Sequence, residues 1–179
     1  ILNSGDLYFD ENVLNSLNKR KANNDFLFGD ILYFNKKLDI VREWKLKFRL
    51  KKKIYFYYIP HTSLFLSLKL IRKNLKAYNL KYKISSDTEL IIRLNLTKNI
   101  KFKKINKYLI FMKTGGLSTN LKFTLSKILE DLIILKTFFK HRFLIFYFKK
   151  IFIKLIGFNF LKNRLNLKKK LLLTIKSLN

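Results

Sequence analysis

Apolar side chains run the whole length of this chain, and changes in their spacing predict its elements. From Phe26 to about Leu50, the series Ile31, Phe34, Leu38, Val41 and Trp44 suits one face of a helix, with Asp30 placed to cap its start. Residues 1–25 are polar and mixed in charge and read as an extension with a marginal helix around Val13 and Leu17. "IYFYYI", at 54–59, is β-branched and aromatic and predicts a strand. Pro60 ends it, because proline cannot donate to a ladder. Thr62 or Ser63 then offers an N-cap, and Leu64, Leu68, Ile71 and Leu75 follow at helical spacing.

Further along, "SSDTE" reads as a turn, and "ELIIRLNL" alternates Leu90, Ile92, Leu94 and Leu96 against Arg93 and Asn95. "IKFKKI" alternates as well, so the two runs predict a hairpin with a basic outer face. Tyr108 to Met112 is a further strand, leading into "KTGGLSTN". Beyond it, Leu125, Ile128, Leu129, Leu132 and Ile133 return to helical spacing, and residues 140–179 are helical and basic with an interruption near Gly157. The predicted class is α+β, with helices on one face of a sheet. Its parts are an extension (1–25), an α/β domain (26–105), a glycine-loop segment (106–122) and a basic helical tail (123–179).

Charge changes this picture most. The chain of 179 residues carries a formal net charge of +28 with 49% hydrophobic residues, so it can bury a core and still calls for a polyanionic partner. Up to Glu43, seven acidic side chains face six basic ones, a net of −1; the remainder holds thirty-three basic against four acidic, a net of +29. The basic body is therefore what meets an anion.

Candidate chemistry is sparse. There are no cysteines, which excludes disulfides, zinc knuckles and thiol nucleophiles. His61 and His141 stand far apart without carboxylates at ligand spacing, so no metal and no cofactor are expected, and both read as surface or groove residues. Glu130 and Asp131 lie within an amphipathic helix and read as an exposed face rather than an acid–base pair. No catalytic residue is assigned, and an enzyme is not expected. In "KTGGLSTN" the order of lysine and glycine is wrong for a nucleotide-hydrolase phosphate loop. A turn is one reading. The other is a close backbone approach to ribose and phosphate, since hydroxyls, an amide and bare backbone meet there. "FLIFYFKKIFIKLIGFNF" is interrupted by Lys149, Lys150 and Lys154 and is too broken to span a bilayer, although a basic helix can lie on one.

The stretch "KKKIYFYYIPHTSLFLSLKLIRKNLKAYNL" resembles small-subunit ribosomal protein eight, whose family has a "KKK-T-V-x-I-P-x-S" strand and turn followed by a basic Leu/Ile-rich helix. "YKISSDTELIIRLNL" stands where that family has its next strands. "YLIFMKTGGLSTNLKF" is similar to its "IxIISTSKGVMTDREAR" segment, with Thr114 at the second Ser, Gly116 at the Gly, Thr119 at the Thr and Asn120 at the Asp. The similarity covers about residues 45–122; the family's "SKPGRR" segment and closing "GGEVLCYVW" strand are not visible. The resemblance implies two small α/β subdomains and direct binding to small-subunit ribosomal RNA beside neighbouring ribosomal proteins. With the Lys/Asn/Ile/Phe-rich composition of an A+T-rich genome, it implies a mitochondrial ribosome. The implied RNA contacts are Lys51, Lys52, Lys53, His61, Thr62, Ser63, Lys69 and Lys73 in the first part, and Lys113, Thr114, Gly115, Gly116, Ser118, Thr119 and Asn120 in the loop. Two alternatives stay open: another organellar ribosomal protein, and a basic peripheral membrane-complex protein.

Overall fold

The computed structural model describes residues 2–20, 24–45, 59–74, 78–115, 121–156 and 164–177. Phe26–Phe34 forms a strand, β2, rather than the start of a helix. Seven consecutive residues of it are buried, because it lies inside the sheet and is covered on both faces; such a strand reads as a continuous apolar run. A turn follows in which the Asn35 side chain accepts the Lys37 and Asp39 amides and Leu38 takes a positive φ of 59°. β3 (Ile40–Trp44) returns antiparallel to it. The helical spacing expected over 26–50 was thus a coincidence of two strands and their turn, and Asp30 caps nothing. It pairs in the interior with Lys104 at 3.0 Å.

β5 (Phe102–Lys113) joins the two separately expected strands into one and runs parallel to β2, with Phe34 opposite Lys113 at their shared carboxyl ends. On its other edge sits β1 (Leu7–Tyr8), antiparallel. β4 (Leu64–Leu66) pairs with the first half of β2. The sheet order is β1-β5-β2-β3, a mixed five-stranded α+β arrangement. Residues 1–25, expected as an extension, instead contribute β1 and the short helix α1 (Val13–Asn18), whose Val13 and Leu17 are buried against Leu27, Ile105 and Leu109.

The segment after Pro60 also differs from expectation. A single 3-10 turn (His61–Ser63) and β4 come first, and only then α2 (Leu68–Asn74). Ser67, not Thr62 or Ser63, accepts an amide of its first turn, that of Leu70. The expected "IYFYYI" strand lies outside the described residues apart from Ile59. "ELIIRLNL", expected as a strand, is part of α3 (Ser86–Leu96). Its alternation misleads because Thr88–Ile92, Leu94 and Asn95 are all buried, while Glu89 and Arg93 form a two-pronged ion pair one turn apart.

α4 (Leu121–Phe139) is the expected helix but turns much of the expected stripe outward: Leu125, Leu129 and Ile133 are exposed, and Ile134 and Leu135 are buried instead; α5 (Phe143–Ile156) and α6 (Arg164–Lys176) supply the helical tail. The tail is not an appendage. Ile134, Leu135 and Phe146 join Phe28, Ile91 and Ile92 in one core, and Leu171 of α6 completes another with Leu32, Phe34 and Phe111. Among the described residues, no helix is long and apolar enough to cross a membrane.

Candidate acid–base site

In an α/β sheet, ligands gather outside the carboxyl ends of parallel strands, where loops converge and backbone amides are left over. Here that place is beside Phe34 and Lys113. The chain before β1 folds over it as a tight turn: the Asp6 amide donates to the Asn3 carbonyl at 3.0 Å, and Gly5 takes a φ of +88°. The turn delivers the Asp6 carboxylate to the end of β5. Its Oδ1 accepts the Lys113 amide at 2.9 Å, while the buried Oδ2 accepts no hydrogen bond from the described residues.

The 3-10 turn after Pro60 places His61 against the same end. Ser63 fixes this turn from inside by donating to the Gly29 carbonyl at 2.8 Å, and the Thr62 hydroxyl faces Met112. The imidazole is held on both nitrogens. Nδ1 lies 2.8 Å from Asp87 Oδ2, and Nε2 lies 3.3 Å from the Asn3 amide nitrogen. Asp87 sits in the first turn of α3, where its Oδ1 also accepts the Thr88 amide at 2.7 Å. His61 and Asp87 side chains remain 32% and 25% exposed, so a ligand can reach both.

The two carboxylates are driven apart electrostatically. Burial raises the pKa of Asp6, opposed by the Lys113 amide, His61 and Asn3, and the net shift is upward. Burial acts the same way on Asp87, but the hydrogen bond and charge of His61, the charge of Lys127 and the Thr88 amide outweigh it and bring Asp87 down to about 2. Burial thus shifts Asp6 upward, while its partners hold Asp87 well below the usual carboxylate range. Such divergence is a common feature of acid–base sites.

A second layer positions Asp87. Glu130 of α4 accepts three consecutive amides, those of Lys83, Ile84 and Ser85, at 2.8 to 3.0 Å, fixing the loop that leads into α3. Its neighbour Asp131 is buried in an ion pair with Lys150 of α5 at 2.7 Å, and Lys150 reaches Thr88 at 3.3 Å. The expected exposed acidic face is therefore two internal braces.

Of the residues expected to touch RNA, His61 and Lys113–Gly115 come together at this strand end. Lys113 and Gly115 are exposed, and an added side chain at Gly115 would meet no atom within 4 Å. Thr62 and Ser63 are buried with their hydroxyls turned inward, so they do not face a ligand. Lys69 is exposed on α2, and Lys73 lies in the same helix. Lys51, Lys52, Lys53, Gly116, Ser118, Thr119 and Asn120 lie outside the described residues. Sequence reasoning missed Asn3, Asp6 and Asp87. The one local signal was "NSGD", whose Gly at the third turn position predicts a tight turn presenting Asp6.

Comparison of the chain with protein families, curated proteins and solved structures found no match.

Proposed function

We propose that this chain carries the acid–base part of a group-transfer site, in an enzyme that moves a group from a phosphate-activated, nucleotide-type donor to a hydroxyl acceptor. The observation that carries this reading is the Asn3–His61–Asp87 hydrogen-bonded chain at the joint carboxyl ends of β2 and β5, where Asp6 accepts the Lys113 amide. Asp87, kept ionised, orients His61 through Nδ1, and Nε2 takes the acceptor's proton once the acceptor hydroxyl displaces the Asn3 amide that donates to it. Asp6 holds the end of β5 in place by accepting the Lys113 amide at Oδ1. The donor's charge is met by Lys113 and by the loop begun at Thr114 and Gly115, whose small polar residues suit ribose and phosphate.

The test is release of free nucleotide from a panel of nucleotide-activated donors, sugar nucleotides among them, in the presence of hydroxyl acceptors. Asp87→Asn and His61→Ala are expected to slow turnover by about 100-fold or more, the scale of a lost general base. Turnover unaffected by either substitution contradicts the reading.

A second reading is favoured by the net +29 after Glu43: a mitochondrial small-subunit ribosomal protein that binds ribosomal RNA by neutralising phosphates and reading shape, without catalysis. The helix at 86–96 stands where the family resemblance implies strands. Co-sedimentation of the protein with small ribosomal subunits supports this second reading, and sedimentation free of both subunits removes it.

A further inference from the structure

We propose that α5 docks this protein on an anionic membrane surface, lying in the plane of the interface. The helix is anchored from one side: Phe146 and Lys150 are buried, and Phe143 and Tyr147 pack on the core with them. The opposite side presents Leu144, Ile145, Phe148, Ile151 and Phe152, which are 38 to 65% exposed. At about 100° per residue these five share one face of roughly 120°. An apolar stripe of this kind on a surface helix calls for a covering partner.

Charge identifies the partner. After Asp131 the chain holds twelve Lys and Arg and not one Asp or Glu. A second copy would bring two such tails together in mutual repulsion. A nucleic acid satisfies the lysines but leaves five apolar side chains in water. An anionic lipid surface satisfies both, because the stripe enters the acyl boundary while Lys140, Arg142 and Lys149, all exposed, meet headgroup phosphates. α5 is too short and too interrupted by lysine to cross the bilayer, so it lies on it.

The test is co-sedimentation of the full chain with phosphatidylcholine vesicles and with mixed phosphatidylcholine–phosphatidylglycerol vesicles, after nuclease treatment. The expected result is binding to the mixed vesicles only, weakened about tenfold or more by Ile145→Ser with Phe148→Ser and also weakened by Lys140→Glu with Lys149→Glu. Both pairs are exposed, and circular dichroism checks the fold. Hydrogen exchange of residues 143–152 in the unmodified protein, expected to slow on mixed vesicles, keeps the test independent of the variants. Equal binding to neutral vesicles, a serine pair that binds as well as the original, loss of binding with nuclease, or unchanged exchange would each overturn the proposal.

Discussion

Removing the Glu130 carboxylate tests how the site is held. Glu130→Ala strips the acceptor from three successive amides, Lys83, Ile84 and Ser85, without touching the Asn3–His61–Asp87 chain itself. A hydrogen bond to a charged group contributes about 1.5–3 kcal/mol net, and leaving a buried donor unsatisfied costs about 1–3 kcal/mol. The Lys83 bond is exposed and water replaces it cheaply; those of Ile84 and Ser85 are partly buried. The expected loss is therefore about 3 kcal/mol rather than the full sum. For a domain of this size, that lowers the melting midpoint by about 6–12 °C. Glu130→Gln keeps one acceptor oxygen and should fall between. Urea unfolding gives the free energy, and hydrogen exchange shows whether the 83–85 amides lose protection. A change below about 0.5 kcal/mol with protection intact would refute the bracing role, since surface substitutions do no more than that.

Three further outcomes follow from the same geometry. Asp87, at about 2 against an ordinary value near 4, is stabilised as the anion in the fold. It should contribute about 2 kcal/mol that is present above pH 4 and lost as the pH falls from 4 towards 2, a segment that Asp87→Asn flattens in acid-unfolding curves. Gly29→Ala should destabilise by about 1–3 kcal/mol in urea, because an added Cβ meets Leu109 side-chain carbons at 2.5 Å and the Lys107 carbonyl at 3.0 Å. Lys150→Met should cost about 3–5 kcal/mol by leaving Asp131 buried and uncompensated, and Asp131→Leu added to it should recover most of the loss; a double variant no better than the single one contradicts the pairing.

Patterning hid the elements that bury two faces. α4 was legible as a helix although the stripe that marked it is not the face it buries, Leu125, Leu129 and Ile133 being exposed and Ile134 and Leu135 buried; the strand before the glycine loop was legible because β-branched and aromatic residues end abruptly at Lys113. β2 and α3 are covered nearly all round, so the period that distinguishes strand from helix disappears, and each was assigned to the other class. Residues 86–96 still carried a helix-start signature, with Asp87 and Glu89 in the first turn, but the Leu/Ile alternation outweighed it. The site was hidden for a different reason. His61 finds Asn3 before the first strand and Asp87 on a later helix, and local spacing cannot register partners brought together by the sheet. The glycine loop was singled out for its polar company, most of which lies outside the described residues; the Asp6–Lys113 bond ties only its beginning to the turn that carries Asp6.

The most direct measurement is chemical-shift mapping of the isotope-labelled chain titrated separately with a panel of nucleoside diphosphates and with a small-subunit ribosomal RNA fragment. A nucleoside diphosphate is expected to give saturable shifts at Asn3, Asp6, His61 and Gly115, abolished by Asp6→Asn. Saturable binding of the RNA through the basic surface, with no nucleoside diphosphate moving the signals of those four residues, would contradict it.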